Sequence, residues 1–214
     1  MRSRSSLKCE AMALIKSVCV YCGSARGSDP LFAEEARRLG QAIARENLRL
    51  VYGGGGIGLM GEVAAAAAKA GGAVTGIIPE FLVSRERAFG HAADIIVTRD
   101  MHERKRLMFE RADAFVALPG GVGTLEELVE QLTWAQLGQH RKPILVANIA
   151  GFWDPFLALI EHMRANNFIH GGNPVPLLVA EDVDQILPLL HDASARLAQG
   201  PSARPDIDAA VERM

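Results

Sequence analysis

LRLVYGGGGIGLMG, from Leu48 to Gly61, compresses a strand, a glycine loop and a helix start into one stretch. Leu48–Tyr52 is a short apolar run of strand length, Gly53–Gly56 breaks it, and an alanine-rich helical stretch follows from about Gly58 to Ala70. The same alternation continues on both sides. Strand-length runs recur at Lys16–Cys22, Ala73–Ile78, Ala93–Thr98, Asp113–Leu118, Pro143–Ile149 and Val175–Ala180. Most are continuously apolar, which suits strands covered on both faces. Helical stretches fill the gaps: one opening at Pro30, then about His102–Ala112, Thr124–Leu137, Pro155–Asn166 and Val183–Ala195. In the first, Ser28 or Asp29 supplies an N-cap, Pro30 sits in the first turn, and Leu31, Ala36, Leu39 and Ile43 share a face. Strand alternating with helix predicts an α/β fold: a doubly wound, mostly parallel, Rossmann-like sheet with helices on both faces. Residues 13–197 form the single expected domain, between loosely ordered tails at 1–12 and 198–214.

Composition narrows the function classes. At 214 residues the chain is long enough for one full core. With 23 Lys+Arg against 25 Asp+Glu, no basic surplus points to nucleic acid as the partner. No apolar run approaches the ~20 residues that span a bilayer. Lys16 interrupts the only apolar run near the N-terminus, so a secretory signal is not expected. Three cysteines do not make a disulfide scaffold, and a cytoplasmic setting follows.

In such sheets ligands bind beyond the carboxyl ends of the strands, and two strands here end in glycine loops. The second is Leu118-Pro119-Gly120-Gly121-Val122-Gly123-Thr124-Leu125-Glu126-Glu127. Each loop opens a helix whose free N–H groups and positive dipole end attract phosphate. A single such loop could be only a tight corner; two on one sheet favour a nucleotide-like ligand. Gly54, Gly55 and Met60 of the first loop, with Gly120–Glu126 of the second, are the candidate binding positions. Gly56, Gly58 and Gly61 also spell G-x-G-x-x-G, and Glu80 lies where a ribose-binding acid would stand in a dinucleotide site. A nicotinamide-dependent oxidoreductase is therefore the alternative enzyme, and a non-catalytic nucleotide or cofactor carrier the alternative binder.

Three segments carry a family resemblance: Gly54–Gly61 (GGGIGLMG), Met101-His102-Glu103-Arg104-Lys105 and Pro119–Glu127 (PGGVGTLEE). With Thr133–Gly138 (TWAQLG) and Lys142-Pro143, they resemble the Lonely Guy family across about Lys16 to Ala180. The resemblance implies a cytokinin riboside 5′-monophosphate phosphoribohydrolase, often carried under an older lysine decarboxylase label. Such an enzyme hydrolyses the N-glycosidic bond of a nucleoside 5′-monophosphate, AMP or an isopentenyl or zeatin riboside monophosphate, to free base and ribose 5-phosphate. It also implies a homodimer or larger assembly and no cofactor. By motif it assigns Arg104, Lys105, Gly120–Glu127 and Thr133 to the site. The family's Pro-Arg-Glu element reads Ser84-Arg85-Glu86 here, so Glu86 keeps its place while the proline is lost. Decarboxylation fails on chemistry: it needs pyridoxal phosphate on a lysine, and the chain offers only Lys8, Lys16, Lys69, Lys105 and Lys142.

Ribosyl–base cleavage builds positive charge on the ribose, which a carboxylate can stabilise while it handles the attacking water. Glu127 stands at i+3 from Thr124, on the same side of the helix that the phosphate loop opens. Arg104 is expected to pair with Glu127 or clamp the ligand, with Lys105 near the phosphate. No metal-ligand spacing appears among the six histidines and three cysteines, and the histidines read as surface or loop residues. In Cys19-x-x-Cys22, positions three apart on a strand point to opposite faces, which argues against a redox pair. Leu125, Leu128, Val129 and Leu132 read as the core stripe of their helix, leaving Trp134 nearly opposite, facing a partner subunit.

Overall fold

The computed structural model describes residues 15–84, 94–169 and 176–199. Seven strands form one sheet: β1 (Ser17–Tyr21), β2 (Arg49–Tyr52), β3 (Val74–Pro79), β4 (Asp94–Thr98), β5 (Ala114–Ala117), β6 (Ile144–Ala147) and β7 (Leu177–Ala180). Six helices alternate with them: α1 (Pro30–Arg45), α2 (Gly58–Lys69), α3 (Met101–Glu110), α4 (Val122–Gln136), α5 (Asp154–Ala165) and α6 (Ile186–Gln199). Strand order is β4-β3-β2-β1-β5-β6-β7, and every pairing is parallel. Each expected strand and helix is present, with ends displaced by a few residues.

The chain winds outward from β1 in one direction as far as β4, then returns to lay β5 against the other side of β1. A crevice opens where that order reverses, above the carboxyl ends of β1 and β5. Loops from both strands are stitched there: Leu118 N–H donates to Tyr21 O at 2.9 Å, Gly23 N–H to Pro119 O at 3.1 Å, and Leu59 N–H to Gly23 O at 2.9 Å.

The alternation of β1 divides the core. Val18, Val20 and Cys22 pack with Leu50 and Tyr52 under Leu39 and Ile43 of α1, Val63 of α2 and Leu190 of α6. Cys19 and Tyr21 pack on the other face with Val51 and Phe115, under Met108 of α3 and Leu128 and Leu132 of α4. Burying one Leu or Phe side chain contributes about 1.5–3 kcal/mol, so the two layers supply the main driving force. Cys19 and Cys22 are free and on opposite faces, as the strand period requires.

Two helix readings need correction. On α1, Asp29 is the cap, accepting from Leu31 N–H at 2.9 Å, but Leu31 is exposed while Ala36, Leu39 and Ile43 are buried. On α4, Leu125 and Val129 are 37% and 42% exposed, and the buried side consists of Thr124, Glu127, Leu128, Gln131 and Leu132. The helix is turned so that three polar side chains, Thr124, Glu127 and Gln131, face inward, a choice that apolar periodicity alone cannot foresee. Trp134 consequently lies half-buried, edge-on to Phe109 of its own chain with ring centroids 5.2 Å apart. No helix among the described residues is long and apolar enough to cross a membrane.

Candidate active site

A cavity of ≈ 290 Å³ occupies the crevice. Tyr21, Cys22, Gly23 and Ser24 form one wall, Gly53, Met60 and Leu82 another, Met101 and Arg104 a third, and Gly121–Thr124 with Glu126 and Glu127 the fourth. α4 begins at this wall with Gly121 as its cap residue and no side-chain cap, so its first N–H groups are left for a ligand. A Cβ on Gly121 or Gly123 would meet nothing within 4 Å, whereas one on Gly120 would stand 2.1 Å from Thr124 Oγ1. Gly120 therefore lets the loop close on the helix, while Gly121 keeps the approach to its N-terminus clear. Gly121→Val should fold with little change in melting temperature yet bind nucleoside monophosphate at least about tenfold more weakly, read by calorimetry. Unchanged affinity would remove the anion from this helix end.

Arg104 and Glu127 are the charged centre of the cavity. α3 starts at Asp100, whose carboxylate accepts from Glu103 N–H at 2.8 Å, and Glu103 accepts in turn from Arg99 N–H at 2.9 Å. This reciprocal cap fixes the first turn and so aims Arg104. Arg104 Nε donates to Ile77 O at 3.2 Å, and its Nη1 donates to Glu127 Oε1 at 2.5 Å. Both side chains are only 9% exposed. Burial raises the Glu127 carboxyl above its ordinary value, and the charge and hydrogen bond of Arg104 offset only part of that. Burial likewise pushes the Cys22 thiol and the Tyr21 phenol well up, so both line the cavity as neutral groups.

The structure brings Met60, Arg104, Gly121, Val122, Gly123, Thr124, Glu126 and Glu127 together at the cavity. Gly120 braces it from behind. Lys105 is turned away: its Nζ pairs with Glu126 at 2.6 Å and Glu130 at 2.9 Å. Burial works against its charge, but those two carboxylates hold the ammonium's pKa above its usual value. Leu125 and Thr133 lie on the exposed side of α4, with Thr133 Oγ1 donating to Val129 O at 2.8 Å. Gly54 and Gly55 are buried beneath the loop rather than on the cavity wall. Glu86 lies outside the described residues. His140 departs from the expected surface position: it is buried, and its Nε2 lies 3.2 Å from Gln131 O.

The first glycine loop is largely explained by packing. A Cβ on Gly58 would stand 2.2 Å from the Ser24 carbonyl carbon, and one on Gly61 2.4 Å from Gly56 O. The space a pyrophosphate would need at Gly58 is filled by the protein's own backbone, which weakens the dinucleotide reading. Tyr21, Gly23, Ser24 and Leu82 belong to the cavity although no motif singled them out, and Gly53 and Met101 belong to it although only their segments were quoted. The available signal was topological: strand β1 ends at the switch point.

A family model described as possible lysine decarboxylase matches residues 60–190. A cytokinin riboside 5′-monophosphate phosphoribohydrolase from Rhodococcoides fascians is 43% identical over 181 residues, 84% of this chain and 91% of that one. The rice enzyme of the same activity named LOG is 46% identical over 160 residues, 75% of this chain and 66% of its own. Among solved structures, the molybdenum cofactor binding protein of Rippkaea orientalis superposes with a TM-score of 0.63 at 23% identity, covering 84% of this chain and 98% of that one. That likeness supports the Rossmann-like fold. Sequence identity at this level over most of both chains places the protein in the Lonely Guy family.

Proposed function

We propose that this protein is a metal-free phosphoribohydrolase acting on nucleoside 5′-monophosphates, with AMP or an isopentenyl or zeatin riboside monophosphate as substrate. The observation that carries the reading is the buried Arg104–Glu127 pair beside an uncapped helix N-terminus in one cavity. Phosphate sits on the Gly121–Thr124 N–H groups, with Arg104 free to share its guanidinium with the ligand. The ribose then lies over Glu127. As the C1′–N bond breaks, its electron pair leaves with the base and positive charge builds on the ribose, opposite the Glu127 carboxylate. Water adds its oxygen to C1′ and gives up a proton to Glu127; the departing base nitrogen takes up one proton, from Glu127 or through water, which restores the carboxylate and leaves ribose 5-phosphate and free base. Lys105, set back behind Glu126 and Glu130, supports this wall of the site. A cytoplasmic setting fits the free thiols of Cys19 and Cys22, the two cysteines among the described residues.

Phosphate dependence tests the assignment. Charge-assisted hydrogen bonds contribute ~1.5–3 kcal/mol each, so adenosine should be turned over at least about a hundredfold less efficiently than AMP. Chromatography that resolves base and ribose 5-phosphate reads the result. Equal turnover of the two would sink the phosphate site, and tight binding of intact AMP without products would make the protein a carrier.

The active form is a homodimer in this reading. Val122, Leu125, Val129 and Leu137 of α4 and its end are 83%, 37%, 42% and 68% exposed, an apolar set running along the helix from the cavity, which Val122 lines. Light scattering should give twice the chain mass. A concentration-independent monomer would remove the dimer.

A further inference from the structure

Gln131 is 1% exposed, and neither its side-chain Oε1 nor its Nε2 has a hydrogen-bond partner. Beyond the ladder of α4 itself, its backbone carbonyl is met by His140 Nε2 at 3.2 Å. A buried carboxamide with both ends unpaired opposes folding, and an apolar side chain of similar volume would serve the core better. Such a group needs a reason for its position.

Its place on α4 supplies one. Gln131 stands at i+4 from Glu127, the spacing at which side chains on one helix face meet, and both are buried on the same side. Glu127 has one strong donor, Arg104, on Oε1. Arg104 also lines the cavity, so an anionic ligand competes for it. When the ligand draws on Arg104, a buried carboxylate is left short of donors. Gln131 Nε2 is an uncommitted donor one turn away.

We propose that Gln131 is a positioning residue for Glu127, its amide N–H taking the carboxylate as substrate engages Arg104 and holding it toward the ribose. The inference rests on the phosphoribohydrolase reading. A neutral amide donor favours the ionised carboxylate without adding a charge. The other groups that face Glu127 are Arg104 and Lys105 from α3, Glu126 from its own helix, and Cys19, Tyr21 and Cys22 from β1 and the residue after it. None of these last three carries charge at neutral pH, because burial pushes all three upward.

The test uses the full chain with AMP, comparing Gln131→Met and Gln131→Leu with the parent protein. Both variants should melt at higher temperature, since they remove unpaired polar atoms. Turnover should nevertheless fall about tenfold on the acid side of the pH profile, with KM little changed and the acid limb displaced to higher pH. Glu127→Gln, measured alongside, separates this inference from the reading beneath it. If Glu127→Gln is inactive while a Gln131 variant keeps the parent kcat and pH profile, Gln131 is only a polar defect in the core. If Glu127→Gln is fully active, the assignment of Glu127 itself fails.

Discussion

Glu127→Gln should lower turnover of AMP by about 10²–10⁴ while leaving a folded protein that still binds nucleotide. The amide retains an acceptor for Arg104, so the 2.5 Å contact can persist as a hydrogen bond without its ionic part. The loss of stability is then on the order of 1–3 kcal/mol, because a buried guanidinium keeps a partner but not a counter-charge. Stability against pH reports on the same group. Folding raises this carboxyl's pKa, so the folded state holds its proton more tightly than the unfolded chain does. Its contribution is fully present below the ordinary carboxylate range and is lost as pH rises through the raised value. That slope should disappear in Glu127→Gln. The acid limb of the activity profile should vanish from the residual rate as well. Glu126→Gln serves as the control: Glu126 is half-exposed and pairs with Lys105, and its replacement should cost far less. A folded Glu127→Gln protein with turnover near that of the parent would show that Glu127 has no catalytic role.

Much of this architecture is legible in the sequence because its signals are local. Glycine breaks, the Asp29–Pro30 helix start and short apolar runs mark the strands and helices one by one, and a parallel sheet buries both faces of each strand. The turn of α4 about its own axis is different. Counting apolar residues picks Leu125 and Val129 for the core, but the helix turns Glu127 inward, and Arg104 from a distant segment makes that burial tolerable. A charge pair formed between two helices leaves no trace in the periodicity of either. Gln131 and Trp134 follow Glu127 around that helix, so the same turn that buries the amide brings the indole onto Phe109. The glycine motifs show a related ambiguity. Gly58 and Gly121 look alike on paper, yet one accommodates the Ser24 backbone and the other faces open space. Only the neighbouring chain distinguishes a glycine kept for packing from one kept for a ligand.

Arg104→Ala should be the more damaging substitution, and for two separable reasons. It removes the donor to Ile77 O that ties α3 to β3, and it leaves the Glu127 carboxylate buried without its counter-charge. Breaking one side of a buried pair costs about 3–5 kcal/mol. The carboxyl relieves part of that cost by staying protonated: Arg104 is the main influence holding its pKa down against burial, so without it the value climbs further. A larger share of the variant therefore carries a neutral Glu127 at a given pH, and that form neither stabilises a cationic ribose nor accepts a proton from water. Turnover should fall by at least the 10²–10⁴ expected for losing the acid–base group, with nucleotide binding weakened besides. The pH profile separates the two variants. Raising pH ionises Glu127 in Arg104→Ala and should restore part of its rate, whereas Glu127→Gln has nothing to ionise and should stay flat. Arg104→Lys keeps the charge but not the planar fork, so it should hold the Glu127 pKa nearer its native position while binding nucleotide less well. Initial rates across pH with thermal melts decide the matter. If Arg104→Ala binds AMP normally and its pH profile overlays that of the parent protein, Arg104 neither clamps the ligand nor tunes Glu127.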